Sequence, residues 1–204
     1  AFRMGAEPFF FKEATKENAS RTYARGMKFF VIACCFCFLG VVLFLDIWKH
    51  FMGIKKHPEY LLGLSVVPIL MLAKIFLGIY YNLSIWYKLT NKNLIGAYIT
   101  IAGAVITLLI NYFLIPYWGY TASAISTLVC YGFMMIASYQ LGKKHFPVPY
   151  PWKKLAAYVF ICILLFFIHQ LFKKFSPGVW WNHGFGLFEI IAFTLFIFRI
   201  EKKE

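Results

Sequence analysis

Charged residues are scarce in this 204-residue chain, and acidic residues are the scarcest of them. Only 14% of the residues are charged, with 8 Asp and Glu against 21 Lys and Arg, whereas about a quarter of a soluble domain is charged. Hydrophobic residues reach 61%, mean hydropathy is +0.69, and the apolar residues are gathered in long runs. This composition excludes an ordinary soluble domain and predicts an all-α integral membrane protein.

Familiar catalytic and metal-binding patterns are also lacking. The sequence holds no Gly-rich phosphate loop, no HExxH zinc motif and no GxSxG nucleophile motif. Its five cysteines lie in apolar runs without zinc-type spacing, so we interpret them as small buried hydrophobic residues. We therefore expect no enzyme activity, no cofactor and no bound metal.

The net charge of +13 would indicate nucleic acid as a partner in a soluble chain. Here the Lys and Arg residues flank the apolar runs. Charge in that position determines topology and contacts anionic lipid headgroups. Membrane lipids are therefore expected partners, and nucleic acid is not.

Six complete membrane spans are predicted, because about 20 apolar residues of helix cross the hydrocarbon core. Residues 1–27 begin like the end of a preceding span and continue as a charged connector, which we interpret from Lys12 to Lys28 as a solvated interfacial helix. The complete spans are predicted at about Phe29–Phe51, Leu61–Lys88, Leu94–Ile115, Tyr120–Leu141, Leu155–Phe172 and Gly184–Ile200. The fourth is rich in Ala, Ser and Thr, which permits helices to approach closely. Since the pattern is already under way at Ala1, we expect the chain to be part of a longer polypeptide.

The distribution of basic residues predicts the orientation. If the spans alternate, fourteen of the 21 Lys and Arg fall on the side that holds residues 12–28 and five on the other, while Arg3 and Lys74 lie within spans. Lys and Arg are enriched on the cytoplasmic side. This side, which also carries the C-terminus, is therefore predicted to be cytoplasmic.

Lys74 is the sharpest functional signal, because it lies near the middle of the second predicted span. A Lys at mid-depth costs on the order of 3 kcal/mol by insertion scales, so it usually faces protein or water rather than lipid. We interpret it as a positive charge that faces a polar cavity and attracts an anionic group. The alternative is a side chain that reaches along the helix to an interface.

The same span carries other polar residues and a proline. Gly78, Tyr81 and Asn82 follow Lys74 on nearly the same helical face and are expected to extend a polar stripe. Pro68 is expected to break the span and free the carbonyl of Leu64. Broken helices of this kind often border transporter sites.

Arg3 and Glu7 form a second candidate pair, four residues apart on one helical face. Inside a helix bundle, Arg3 would add positive charge to the cavity and Glu7 would take up a proton or coordinate a cation. The alternative is an interfacial ion pair at a helix end kinked by Pro8. Glu189 and Asn111 are interpreted as polar groups that help helices pack.

Three segments resemble a known family: AEPFFF at Ala6–Phe11, and the runs Val66–Lys92 and Asn111–Tyr131. They are similar to the C-terminal half of polysaccharide-biosynthesis membrane proteins. These are oligosaccharide flippases of the multidrug/oligosaccharidyl-lipid/polysaccharide exporter superfamily. The similarity covers nearly the whole chain and is strongest between residues 61 and 146, although the matching patterns do not define a substrate.

The resemblance implies a MATE-like transporter with two six-helix lobes and two extra helices, which moves undecaprenyl-pyrophosphate-linked oligosaccharide across the bacterial inner membrane by alternating access. Residues 1–142 would hold the end of the eighth span and the rest of the second lobe, and residues 143–204 two additional C-terminal helices. The missing partner would be an N-terminal lobe of the same polypeptide. Substrate binding would fall to Lys74, Arg3, Asn82 and Tyr81, and ion coupling to Glu7.

Other interpretations remain open. A multidrug or cation exporter of the same superfamily would usually have acidic cavity residues, whereas the intramembrane charges here are mainly basic. A membrane-embedded enzyme, such as a polysaccharide polymerase or acyltransferase, tends to need clustered catalytic residues in a large loop. A membrane scaffold without transport activity would give no reason for the mid-depth Lys74.

Overall fold

The computed structural model describes residues 8, 10, 12–13, 18–51, 63–175 and 178–202. All regular elements in these residues are helical, with no strand among them, which confirms the predicted all-α class. The helices are α1 (Ala19–Val42), α2 (Leu45–Phe51), α3 (Val67–Leu83), α4 (Ile85–Leu89), α5 (Asn93–Trp118), α6 (Tyr120–His145), α7 (Trp152–Phe175) and α8 (Val179–Glu201). A short 3-10 turn, Leu64–Val66, precedes α3.

Six helical segments in the described part are long and apolar enough to cross a membrane. They are Ala19–Val42, Leu64–Leu89, Asn93–Trp118, Tyr120–His145, Trp152–Phe175 and Trp180–Glu201. The prediction of a multi-pass membrane protein with six complete spans is confirmed. Arg3 and Glu7, assigned to the end of a preceding span, lie outside the described residues.

The first span begins earlier than predicted, because α1 starts within the charged connector rather than at Phe29. The connector residues fit an amphipathic helix. Arg21 and Arg25 lie four residues apart on an exposed face, whereas Tyr23 and Met27 are buried. The charge therefore marks the exposed side of a continuous helix and not an interruption before it.

The same span also ends earlier than predicted. The amide of Leu43 still donates to the carbonyl of Leu39, at 3.0 Å, but the chain then turns and α2 begins. Asp46 lies in the first turn of α2, where a carboxylate is favoured by the unpaired amides and the helix dipole. The start of this new short helix separates Asp46 from the membrane-spanning segment.

Two prolines were expected to interrupt helices: Pro68 to break the second span, and Pro116 to close the third span directly after Ile115. Neither does so. Pro68 is the second residue of α3, where a missing N–H leaves no intrahelical bond unmade. The carbonyl of Leu64, predicted to be free, accepts the N–H of Val67. Pro116 lies inside α5, which continues to the turn at Gly119, where φ is 53°.

The chain forms two compact units. Unit 1 comprises residues 1–30 and 69–151, and unit 2 comprises residues 31–68 and 152–204. Unit 1 thus contains α4, α5, α6 and most of α3, whereas unit 2 contains α2, α7, α8 and the second half of α1. The predicted division between residues 142 and 143 separates the second lobe of a complete transporter from two additional C-terminal helices, and it stays a prediction.

Within unit 1, α5 and α6 pack closely against each other. A Cβ added at Gly103 would lie 3.0 Å from Met134 and 3.1 Å from Cys130, so only a glycine fits without displacing them. Near the other end of the pair, the hydroxyl of Ser126 donates to Oδ1 of Asn111 at 2.8 Å. The interpretation of Asn111 as a residue that helps helices pack is confirmed, as is the close approach permitted by the small residues of α6.

Candidate substrate-binding groove

A groove of about 470 Å³ opens on unit 1 between α3, α4, α5 and α6. On α3 its lining residues Leu77, Tyr80 and Tyr81 recur at the spacing of one helical face, and Ser84 continues this spacing directly after the helix. The α4 residues Tyr87 and Lys88 continue this lining toward the end of the span. The groove is therefore a consequence of helical periodicity along a single stretch of chain, closed by α5 and α6.

Tyrosines dominate the described lining of this groove. They are Tyr80, Tyr81, Tyr87 and Tyr131. The hydroxyl of Tyr80 lies 3.2 Å from that of Tyr87 and 3.4 Å from the hydroxyl of Thr100, which itself donates to the carbonyl of Gly96 at 2.9 Å. Aromatic faces and linked hydroxyl groups thus meet in one concave surface.

Gly96 sets the position of the Tyr87 ring. A Cβ built on this residue would lie 2.7 Å from two ring atoms of Tyr87, a separation that no real Cβ contact adopts. The absence of a side chain lets the ring lie directly against the α5 backbone. This close approach forms one wall of the groove.

Lys74 does not itself line the groove, but it lies next to a residue that does. It is exposed, and its Nζ lies 5.7 Å from the centroid of the Tyr131 ring, within the range of a cation–π interaction. Lys74 also shares a helical face with Leu77 and Tyr81, which both line the groove. One ammonium group therefore lies beside the α3 end of the groove, while Lys88 lines it in the last turn of α4.

The other sequence-predicted site residues have different positions. Tyr81 lines the groove, but Asn82 does not. Asn82 is buried; its Nδ2 donates to the carbonyl of Gly78 at 3.0 Å and its Oδ1 has no hydrogen-bond partner in the described part. Gly78 packs against Phe30. The predicted polar stripe is therefore divided between the groove and an adjacent packed face, because Asn82 lies about 80° around the helix from Lys74.

Several residues that line the groove were not predicted from the sequence, above all Tyr80, Tyr87, Tyr131 and Thr100. A signal for part of the set exists in the sequence. The spacing 77, 80, 81, 84, 87, 88 follows one helical face, and 93, 96, 97, 100 follows another. What the spacing lacks is any indication that the two faces are adjacent, since that depends on how the helices pack.

A separate polar centre lies in unit 2 around Asp46. Its carboxylate accepts a hydrogen bond from Lys49 at 2.8 Å and another from Lys173 of α7. Burial would raise the pKa of Asp46, but the hydrogen bonds and positive charges of the two lysines outweigh it and lower the pKa to about 2. The carboxylate is therefore ionised at neutral pH and joins α2 to α7.

Comparisons of the chain with protein-family models, with curated proteins and with solved structures found no match. The resemblance to oligosaccharide flippases thus depends on the sequence segments at Ala6–Phe11, Val66–Lys92 and Asn111–Tyr131. The roles of Lys74, Tyr81 and Asn82 in substrate binding stay predictions, as do those of Arg3 and Glu7, which lie outside the described residues.

Proposed function

We propose that this chain is the second lobe of a flippase that translocates lipid-linked oligosaccharide across the bacterial cytoplasmic membrane. The observation that carries the proposal is the groove of unit 1, which is lined by tyrosines and bordered by Lys74 and Lys88. The groove lies on helices of membrane-spanning length, where a lipid-linked ligand held in the membrane can reach it.

The lining suits a sugar chain. Tyrosine presents a flat apolar face and a hydroxyl group that donates and accepts hydrogen bonds, and a sugar ring has both apolar faces and hydroxyl groups. The linked hydroxyls of Tyr80, Tyr87 and Thr100 can exchange their mutual bonds for bonds to sugar hydroxyls. Such exchange costs little, because every group keeps a partner.

The lysines suit a diphosphate. Lys74 lies about 15 Å from the Leu64 end of its span and about 22 Å from the Leu89 end by helical rise. An ammonium at this depth is stabilised by an anion, and an undecaprenyl pyrophosphate headgroup supplies one. Its contact with the Tyr131 ring holds the ammonium beside the groove until the anion arrives.

Transport requires both lobes of the complete protein. In the proposed mechanism, an N-terminal lobe of the same polypeptide rocks against this one, and the groove is exposed first to the cytoplasmic side and then to the outer side. The proposed orientation has the C-terminus in the cytoplasm, because the basic residues are concentrated on that side. The same proposal assigns ion coupling to Glu7 and identifies α7 and α8 as the two additional C-terminal helices.

A binding experiment on this chain tests the proposal directly. The chain is placed in lipid nanodiscs, and its affinity is measured for an undecaprenyl-pyrophosphate-linked oligosaccharide, for undecaprenyl pyrophosphate and for undecaprenol. We expect Lys74→Ala to weaken binding of both pyrophosphate lipids about tenfold, which corresponds to about 1.4 kcal/mol. Binding of undecaprenol should not change, because it carries no phosphate.

The matched control is Lys144→Ala, which removes an exposed lysine in the last turn of α6, away from the groove. Equal losses for the two variants would reduce the effect to general attraction between lysines and anionic lipid and contradict the proposal. In the full-length protein, Lys74→Ala should abolish surface polysaccharide at unchanged membrane abundance. Tight binding of lipophilic cations with no binding of pyrophosphate lipids would instead favour the exporter alternative.

A further inference from the structure

Unit 2 contains a buried pair of ionisable side chains that the proposed flippase mechanism does not use. His169 of α7 and Glu189 of α8 are 4% and 2% exposed, and Nδ1 of His169 lies 2.8 Å from Oε2 of Glu189. The second carboxylate oxygen, Oε1, is buried without a hydrogen-bond partner in the described part of the chain. Both helices are long and apolar enough to cross a membrane.

We propose that His169 and Glu189 together form a proton-binding site. With one proton, the pair is neutral overall, whether that proton completes an imidazolium beside a carboxylate or a carboxylic acid beside an imidazole. Without it, an uncompensated carboxylate would remain buried with one oxygen unbonded, which a low-dielectric interior strongly disfavours. A second proton would leave a buried positive charge, so the pair binds a single proton by preference.

A polar cavity connects this pair to water. It measures about 290 Å³ and has His169 in its wall, together with Lys49, Ser65, Gln170 and Lys173. The side chains of Lys49 and Lys173 are 35% and 37% exposed, so the cavity reaches solvent on the side of the membrane where α7 ends. It has room for several water molecules, through which a proton can travel to the imidazole.

Other charged and titratable groups of the described part of unit 2 face this region from each neighbouring element. They are Lys173 on α7, His183 on α8, and Asp46 and Lys49 on α2. Asp46 binds both lysines, so their positive charge is partly neutralised at the cavity wall. His183 stacks on Phe44, and its Nδ1 is buried without a hydrogen-bond partner in the described residues.

The chemistry of the pair favours a proton over a metal ion. Within the described residues, no group of three or more His, Cys, Asp and Glu side chains is arranged to hold a metal. The ring of Phe185 stacks on His169 with centroids 6.1 Å apart, and Gly186 lies against the same imidazole. Both neighbours are apolar. Among the described residues, the acidic partner of the imidazole is therefore the Glu189 carboxylate.

Infrared difference spectroscopy of the full chain in lipid nanodiscs tests the proposal. The spectra should contain a band of the bound proton, either the carbonyl band of a buried protonated carboxyl or a ring band of an imidazolium. Glu189→Gln should remove this band, because it removes either the carboxyl itself or the counter-charge of the imidazolium. Glu201→Gln is the matched control on the same helix, since Glu201 is bonded to Tyr158; it should leave the band unchanged.

Several results would overturn the assignment. The band could persist in Glu189→Gln, or sodium added at constant pH could displace the proton and make this a sodium site. If the variants fail to fold, the unaltered chain is labelled with ¹⁵N-histidine and ¹³C-carboxyl glutamate. Solid-state NMR should then find one imidazole nitrogen coupled to a glutamate carboxyl through a shared proton, and the absence of this coupling refutes the site. None of these measurements involves transport, so their outcome is independent of the flippase proposal.

Discussion

The two units treat ionisable groups inside the apolar helices in opposite ways. In unit 1, Lys74 is exposed and contacts an aromatic ring beside a groove. In unit 2, His169 and Glu189 are buried, and Nδ1 of the imidazole contacts one oxygen of the carboxylate. One unit thus presents a charge that a ligand can neutralise, whereas the other neutralises its charges internally.

Lys74 is thus placed to bind a ligand, whereas His169 and Glu189 connect two helices. A cation–π contact is worth only about 0.5–1 kcal/mol at an exposed position, so an anion can replace it at little loss. A buried charge pair is different, because removal of one partner leaves the other uncompensated. Substitution of Lys74 in unit 1 should therefore change ligand affinity, and substitution of His169 or Glu189 in unit 2 should change stability.

The largest effect is expected from His169→Leu, which leaves the Glu189 carboxylate without its partner. The free energy of unfolding in detergent should fall by about 3 kcal/mol. The double variant His169→Leu, Glu189→Leu should recover most of the loss, and a double variant as unstable as the single one would show that the pair is not coupled.

Gly96→Ala is expected to have the next largest effect. The new methyl group would meet the Tyr87 ring at 2.7 Å, and displacement of that ring should lower the free energy of unfolding by about 1–3 kcal/mol. Gly184→Ala on α8 is the control, since its Cβ would meet nothing within 4 Å and alanine favours helix by about 1 kcal/mol. If both substitutions were neutral in thermal unfolding, the close contact that forms the groove wall would be refuted.

Tyr131→Leu should have a smaller effect, on the ligand affinity of unit 1. Loss of the ring frees the Lys74 ammonium, and the affinity of the chain for undecaprenyl pyrophosphate should fall about threefold. Tyr131→Phe retains the ring face and should bind almost as well as the unaltered chain. Equal affinities for all three chains would mean that the ring does not position the lysine.

The smallest effect concerns Asp46. Its folded pKa of about 2 lies below the value of about 3.9 expected in the unfolded chain. The stabilisation is therefore complete above about pH 4 and is lost as the pH falls toward 2. Because the side chain is 32% exposed, the contribution should stay below about 1 kcal/mol. Unfolding midpoints of the chain and of Asp46→Asn should converge between pH 4 and 2; parallel curves would contradict the ion pair.

Particular residues show how far the sequence could predict the candidate site. Lys74 was identified because a charge within an apolar run is visible by itself, and Tyr81 because it lies on the same helical face. Tyr131 and Thr100 could not be identified, since they belong to other helices and nothing in their own segments marks them. Asn82 was placed on the stripe from spacing, whereas packing of Gly78 against Phe30 turns that face into the interior of the unit.

The helical boundaries show the same division. Pro68 and Pro116 were expected to break or end helices, but both lie within helices. Pro68 is in a first turn and Pro116 is near a last turn. Arg21 and Arg25 were expected to lie in a connector before the first span, although a helix can carry them on its exposed side. The prolines lack an N–H and the arginines are exposed, as their residue types predict. The position of each residue within its helix decides whether the helix ends there.

The number of spans and the all-α class followed from the sequence alone, because the thickness of a hydrocarbon layer and the backbone's need for internal hydrogen bonds leave a long apolar run few alternatives. Only the tertiary structure brought Tyr80 to Thr100, Tyr87 to Gly96 and His169 to Glu189. Contacts between helices depend on which faces meet and at what depth. That choice results from the packing of many side chains at once, and no single segment contains it.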